Sequence, residues 1–325
     1  MKTYSTLRAS VSFLTLAFIP SLVSAQQYPY KAIRWVVPYA AGGGSDATAR
    51  VIAQAISKNV GQPVIIENKP GAGTQIGAQN IAMSAPDGYT IGTVDSGTLA
   101  YNPSLYKKLS YDVDRSFTYV GGLVRMPLVL VAKPDLAVTS LKDVIALASK
   151  TPGRLTYASA GNGSPHHIAM EMLEQQAGVK FLHVPYKGVA PGMQDVMAGL
   201  ADMMMLDLAG GMSAVKSGRV KLIAVASPNR LTQLPSVPTL NEAGLPGFSA
   251  YAWQGLVAPA GTPPAIVQRL STEVKKALDD REVRAKLSTI GIEPMLMTPK
   301  DFASYSKSEQ ARWAPIIKSA GITLD

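Results

Sequence analysis

The sequence predicts an α/β protein of two lobes, each a mostly parallel sheet flanked by helices, facing one another across a cleft. Three observations carry this expectation. Strand-like and helix-like segments alternate along the chain. One strand–turn–helix–strand unit occurs twice, and both copies carry a glycine-rich turn at the same point. Such units make parallel strand pairs, and ligands bind beyond the carboxyl ends of those strands.

In the first copy "IRWVVPYA" reads as a strand, "AGGGSD" as the turn, "DATARVIAQAISKNVG" as a helix and "QPVIIENKPG" as a second strand. The second copy runs "RLTYASA", "AGNGSP", "PHHIAMEMLEQQAG" and "VKFLHVPYKG". Ala41-Gly42-Gly43-Gly44-Ser45 thus aligns with Ala160-Gly161-Asn162-Gly163-Ser164. Val51, Ile52, Ala55 and Ile56 share one helix face, as do Ile168, Met172 and Leu173. Gly61 and Gly178 supply the stop signals. Ser164 before Pro165 is an N-cap with proline at the first helical position, and Ser45 is expected to cap the first helix likewise.

The alternation continues. "TIGTVDS" is a strand ending near Ser96 and Thr98, and "PLVLVAKP" is another. Ser140 with Asp143 forms a capping box before "LKDVIALASK". "MMML" at 203–206 reads as a buried strand before Asp207, and "RVKLIAVASP" as the next. Thr262-Pro263-Pro264 opens an amphipathic helix, and Thr298-Pro299 with Asp301 opens the last. The Pro-rich "LPSVPTLNEAGLPGF" reads as a surface connection. Helical sequence returns after the second copy, so the first lobe is expected to be discontinuous, residues 26–125 and 227–325, with residues 126–226 inserted as the second.

Residues 1–25 read as a signal peptide. Lys2 and Arg8 precede the apolar "VSFLTLAFIPSLVSA", and cleavage is expected after Ala25. Export without a single cysteine excludes disulfides, thiol catalysis and Cys-ligated metals. The net charge is +9, or +7 once Lys2 and Arg8 are removed. No Lys/Arg cluster of the nucleic-acid type accompanies it, and no later segment is a membrane span.

A helix start offers unpaired N–H groups and about half a positive charge, and glycine lets a ligand touch that backbone. Two such turns facing one cleft would hold an anion. No lysine follows Gly44, so this is not a phosphate loop. Asp46 would repel a dianion, and a carboxylate suits the site better. Asp46 itself could orient a water, accept a ligand donor or simply favour the helix dipole. Tyr39 and Tyr186 could wall the site; Lys187 beside Gly188 is either a charge for the ligand or an exposed loop lysine. "GAGTQIG" has loose dinucleotide spacing and is expected as a loop at the lobe interface.

Catalytic chemistry is missing from the pattern. His166 and His167 are adjacent and face different ways, so they chelate no metal well; His166 is the one near the cleft. Gly-x-Ser-x-Gly is absent. Asp95 and Asp207 could both reach the cleft, with nothing marking them as acid and base. No cofactor, metal or catalytic residue is expected.

Together, "YPYKAIRWVVPYAAGGGSDATAR", "VIIENKPGAGTQIGA", "APDGYTIG", "YNPSLYKKLSYD", "YASAGNGSPHHIA", "HVPYKGVAPGMQDVMAGLADMMMLD", "VPTLNEAGLPGF" and "WQGLVAPAGTP" give the chain its likeness. It resembles the tripartite tricarboxylate transporter receptors, the TctC-type or Bug periplasmic solute-binding proteins. The resemblance implies a type II "Venus flytrap" fold and a small carboxylate as cargo: a citrate-like acid, dicarboxylate, acidic amino acid, nicotinate-like compound or aromatic diacid such as terephthalate. It implies gripping loops at Tyr39 to Asp46, Ser159 to Ser164 and Tyr186 to Gly188. The implied partner is a membrane permease of one large and one small subunit, served by a monomeric receptor. A receptor reporting to a signalling partner would share the same fold and site. An exported α/β enzyme is the remaining alternative, without a constellation to support it.

Overall fold

The computed structural model describes Met1 and residues 28–324. The expected signal peptide and its cleavage site lie outside the described residues. The first copy folds as strand β1 (Ile33–Val37), helix α1 (Gly44–Val60) and strand β2 (Val64–Asn68). Its βαβ partner, through α2 (Gln75–Ala82), is β3 (Thr90–Asp95), with the short helix α3 (Asn102–Leu105) beyond it. The second copy repeats this as β5 (Thr156–Ser159), α5 (Pro165–Ala177) and β6 (Leu182–Pro185). It continues through α6 (Val189–Met197) to β7 (Met203–Asp207) and α7 (Leu208–Lys216).

β4 (Phe117–Ala132) is the long element that joins the halves. Its first part pairs antiparallel with β9 (Tyr251–Pro259) and β10 (Glu293–Met297) in one sheet. From Leu128 it pairs with β7 and with β8 (Lys221–Val225) in the other. The sheets therefore run β2-β1-β3-β9-β4-β10 and β6-β5-β7-β4-β8. The parallel pairing expected from the sequence forms one end of each sheet, β2-β1-β3 and β6-β5-β7. The strands shared or returned between the halves pair antiparallel.

The chain leaves the first sheet between Pro127 and Leu128 and returns after Val225, where Ala226 donates to Leu128 and accepts from Ala250.

Local signals act mostly as their chemistry dictates. Gly61 (φ 69°) and Gly178 (φ 65°) end α1 and α5 in the left-handed conformation, their amides donating to the Ser57 and Glu174 carbonyls. Ser164 caps α5 by accepting from His167, and Ser140 with Asp143 forms the expected box before α4 (Leu141–Lys150). α8 (Pro264–Asp279), α9 (Arg281–Thr289) and α10 (Pro299–Ser319) cover the first sheet; Thr298 caps α10.

Two expectations need correction. Ser45 does not cap α1: the helix begins at Gly44, its N-cap is Gly43, and no side chain serves it. The Pro-rich stretch at 234–248 is more than a surface connection. Leu240 and Phe248 are buried, and Thr239 bridges to Val225. Its prolines set the turns while its apolar residues close the edge of the second sheet.

Candidate functional site

The two glycine turns meet where the sheets face each other. Ala40 donates its amide to the Lys187 carbonyl at 3.0 Å, joining the β1–α1 loop to the β6–α6 loop. Gly43 packs on Val189 and Gly97 on the Gly163 carbonyl. Between these seams lies a small, tightly lined cavity, partly open to solvent. Its walls come from both halves. Tyr39, Gly43, Gly44, Ser45 and Asp95 stand on one side, and Ala160, Pro165, His166, Val189 and Asp207 on the other. Met126, on β4, and Ala252, Trp253 and Gln254, on β9, form the floor. The starts of α1, α5, α6 and α7 all converge here, so their dipoles sum.

Polar chemistry is concentrated in two buried pairs. The Tyr39 hydroxyl donates to Asp95 Oδ2 at 2.5 Å, while the Thr98 amide and hydroxyl donate to Asp95 Oδ1. Burial pushes the Asp95 carboxyl up, opposed by these bonds and by His166. Burial, with Asp95 alongside, holds the Tyr39 hydroxyl well above its usual range. In the second pair, His166 Nε2 meets Asp207 Oδ2 at 3.0 Å, and Asp207 Oδ1 caps α7 by accepting from Gly210.

Three atoms in the lining are left over. Ser45 Oγ, His166 Nδ1 and Gln254 Oε1 are buried and have no hydrogen-bond partner among the described residues. A buried polar atom without a partner costs about 1–3 kcal/mol. Three converging on one cavity mark a place built to be filled by a polar guest.

The remaining expected residues serve this cavity from further away. Gly161, Asn162, Ser164, Tyr186 and Lys187 line a wider opening of about 950 Å³ that shares Tyr39 and Ala160 with the cavity. The "GAGT" residues Gly71 to Thr74 form its opposite rim, at the interface of the halves. Gly188 backs onto Ala40, and Gly163 donates to His167 Nδ1. Ala41 and Gly42 are exposed on the loop shoulder.

Asp46, Ser96, Thr98 and Ser159 do not line the cavity. Asp46 is turned behind its loop and accepts from Gly42, Arg50 and Asn68. Ser96 sits under Tyr101, and Thr98 holds Asp95. Ser159 bonds to His183 and Gly161. From the sequence Asp95 was within reach of the cleft without a marked role, and Met126, Val189, Ala252 and Gln254 were not among the expected contacts. Their one signal is position, just past a strand crossing or directly after Gly188.

Among the described residues no cluster of three or more His, Cys, Asp or Glu side chains could hold a metal ion. No described helix is long and apolar enough to cross a membrane.

Residues 48–322 match the model of the tripartite tricarboxylate transporter family receptor, TctC. This chain belongs to that family. BugT of Bordetella pertussis is 34% identical over 313 residues, covering 96% of each chain. The periplasmic binding protein BugD superposes with a TM-score of 0.88 at 34% identity, over 91% of this chain and all of that one. Rpa4515 of R. palustris, solved with adipate, gives 0.89 at 34% identity over the same shares. The fold of this TctC family member is thus the two-lobed binding-protein fold, and its family and structural neighbours are solute-binding receptors.

Proposed function

We propose that this TctC family member captures a small carboxylate outside the cytoplasmic membrane and delivers it to a tripartite tricarboxylate-type permease. It does so as a monomer, without catalysis or cofactor, after export and cleavage behind Ala25. Residues 26–125 with 227–325 form one lobe and 126–226 the other, hinged where β4 and the 226–250 segment cross. The observation that carries the reading is the set of three unpartnered polar atoms, Ser45 Oγ, His166 Nδ1 and Gln254 Oε1, at the meeting point of the helix starts. One carboxylate bridging the lobes would satisfy the backbone amides of α1 and the His166 edge together. Binding of adipate by Rpa4515 supports the class of cargo.

Calorimetry against a broad carboxylate panel tests the reading. One-to-one binding by some member is expected, weakened at least tenfold by Ser45→Ala or His166→Ala; silence across the panel would overturn it. Loss of uptake of that acid when the gene is deleted tests delivery to a permease.

A further inference from the structure

We infer that Thr74 and Asn102, neither of which lines the inner cavity, are positioning residues for cargo: they run a buried hydrogen-bond chain from the Gly71–Thr74 loop to Asp95 and seat it against the second lobe's glycine turn. The inference rests on the proposed carboxylate receptor and deepens it. All four residues of the loop have positive φ: Gly71 122°, Ala72 46°, Gly73 56° and Thr74 75°. Ala72 and Thr74 are the only residues other than glycine with positive φ among those described. A side chain in that conformation persists only where its surroundings fix it. Asn102, the first residue of α3 and fully buried, does the fixing. Its Nδ2 donates to the Gly73 carbonyl at 2.8 Å and lies 3.3 Å from Thr74 Oγ1 and 3.0 Å from the Tyr111 hydroxyl. That hydroxyl donates in turn to the Thr98 carbonyl at 2.6 Å. The Thr74 hydroxyl lies 2.9 Å from that of Thr98, which donates to Asp95 Oδ1 at 2.7 Å. Asp95 lines the cavity, and Tyr39 holds its other oxygen. Two routes, through Tyr111 and through Thr74, thus converge on Thr98, the residue that orients Asp95.

The chain also bears on the other lobe. A Cβ on Gly73 would lie 2.9 Å from the Asn162 carbonyl oxygen, and one on Gly163 would lie 2.9 Å from Asn102 Oδ1. Asn102 Oδ1 is buried without a hydrogen-bond partner among the described residues, and the Gly163 amide is spent on His167 Nδ1. Backbone strain and an unpaired buried oxygen are costs that helices and sheets do not require. Here both fall on the chain that joins a cavity-lining carboxylate to the turn before His166. A purely structural loop would take glycine at position 74. Thr74 keeps a side chain in a glycine conformation, and its hydroxyl is the link to Thr98. The gain is realised when the lobes meet, because Asp95 and the turn at 161–164 are then set in one register for cargo.

Calorimetry at pH 7.5 tests this, with urea midpoints reporting stability separately. The probe is the acid that binds the wild type most tightly in the carboxylate panel, which includes adipate, succinate and terephthalate. Thr74→Val keeps the branched shape and removes the hydroxyl; it should weaken binding at least fivefold. Thr74→Ser restores the hydroxyl and should stay within twofold of the wild type. In an Asp95→Ala background, Thr74→Val should change affinity less than twofold, because its route to cargo is gone. Asn102→Ala drops both routes and should weaken binding at least as much as Thr74→Val; a smaller loss overturns the assignment of Asn102. A Thr74→Val protein with a lower urea midpoint and wild-type affinity, or with the same loss whether or not Asp95 is present, overturns the inference and leaves the receptor reading standing. Silence across the whole panel overturns both. Should Asp95→Ala fail to fold or to bind, the valine and serine variants at position 74 decide alone.

Discussion

Gly44 and Asp207, from opposite lobes, approach so closely that a Cβ on Gly44 would lie 2.2 Å from Asp207 Oδ1 and 3.0 Å from the Ala209 Cβ. Asp207 cannot swing aside freely, because Gly210 and His166 hold its two oxygens. Gly44 is the first residue of α1 and carries no positive φ, so alanine suits the helix itself and would favour it by up to about 1 kcal/mol. Gly44→Ala should therefore leave the melting temperature unchanged or slightly raised while propping the cleft open. Affinity for the best carboxylate is expected to drop at least tenfold. A variant that bound normally would show that the lobes need not come this close.

Asp207 combines two tasks that substitution can separate. As N-cap it accepts from Gly210, a contact worth about 1 kcal/mol; as a charge it faces His166. Asp207→Asn keeps an acceptor for the cap and loses the charge. Asp207→Ala loses both and leaves His166 Nε2 buried without its partner. The alanine variant should melt lower than the asparagine variant in urea titrations, by roughly 1–2 kcal/mol. Both should bind cargo more weakly than the wild type, since each disturbs the orientation of His166.

The same pair shows where sequence was informative. The repeated turn, its glycines and the Ser164 cap were legible, because they follow from local backbone rules that six or seven residues encode. Ser45 was misread for the same reason: the likeness of the turns suggested a cap, but the first helix starts two residues earlier, at Gly44, leaving the hydroxyl without a capping role beside the cavity. Gln254 and Met126 were illegible. Each sits on a strand whose sequence shows only a buried run, and the register of β4 against β9 decides which residue faces the cleft. Asp46 was read as a cleft group because it adjoins the turn; Asn68, 22 residues on, draws it backward.

Asp46 thus acts on the loop rather than on cargo. Burial pushes its carboxyl up, but Arg50, the Gly42 amide and Asn68 outweigh this and hold it below its usual range. Asp46→Ala would free the Gly42 amide and the Arg50 guanidinium together. The expected loss of stability is about 1–2 kcal/mol, with a several-fold loss of affinity because the Gly42–Gly44 backbone is no longer pinned. Arg50→Ala, on the exposed side of the pair, should cost under about 1 kcal/mol. The ordering of the two variants in thermal melts and calorimetry checks the assignment.

His183 ties the second glycine turn to pH. Its ring stacks on His167 at 4.1 Å and on Tyr157 at 4.8 Å, and its Nε2 lies 2.7 Å from the Ser159 hydroxyl below Gly161. Burial, reinforced by His167 and partly opposed by Glu171, pushes its pKa down from 6.5 to about 3. The unfolded chain therefore takes up this proton before the folded chain does. Above about pH 6.5 His183 is neutral in both states and adds no pH dependence. Between about 6.5 and 3 the unfolded state holds the extra proton, and stability falls by up to about 1.4 kcal/mol for each unit of acidification. His183→Gln retains a partner for Ser159 but cannot titrate. Urea midpoints taken from pH 7.5 down to 4.5 should fall more steeply in the wild type than in this variant, by close to one proton. Parallel lines would mean that His183 is protonated in the folded protein and that the stacked rings accommodate its charge.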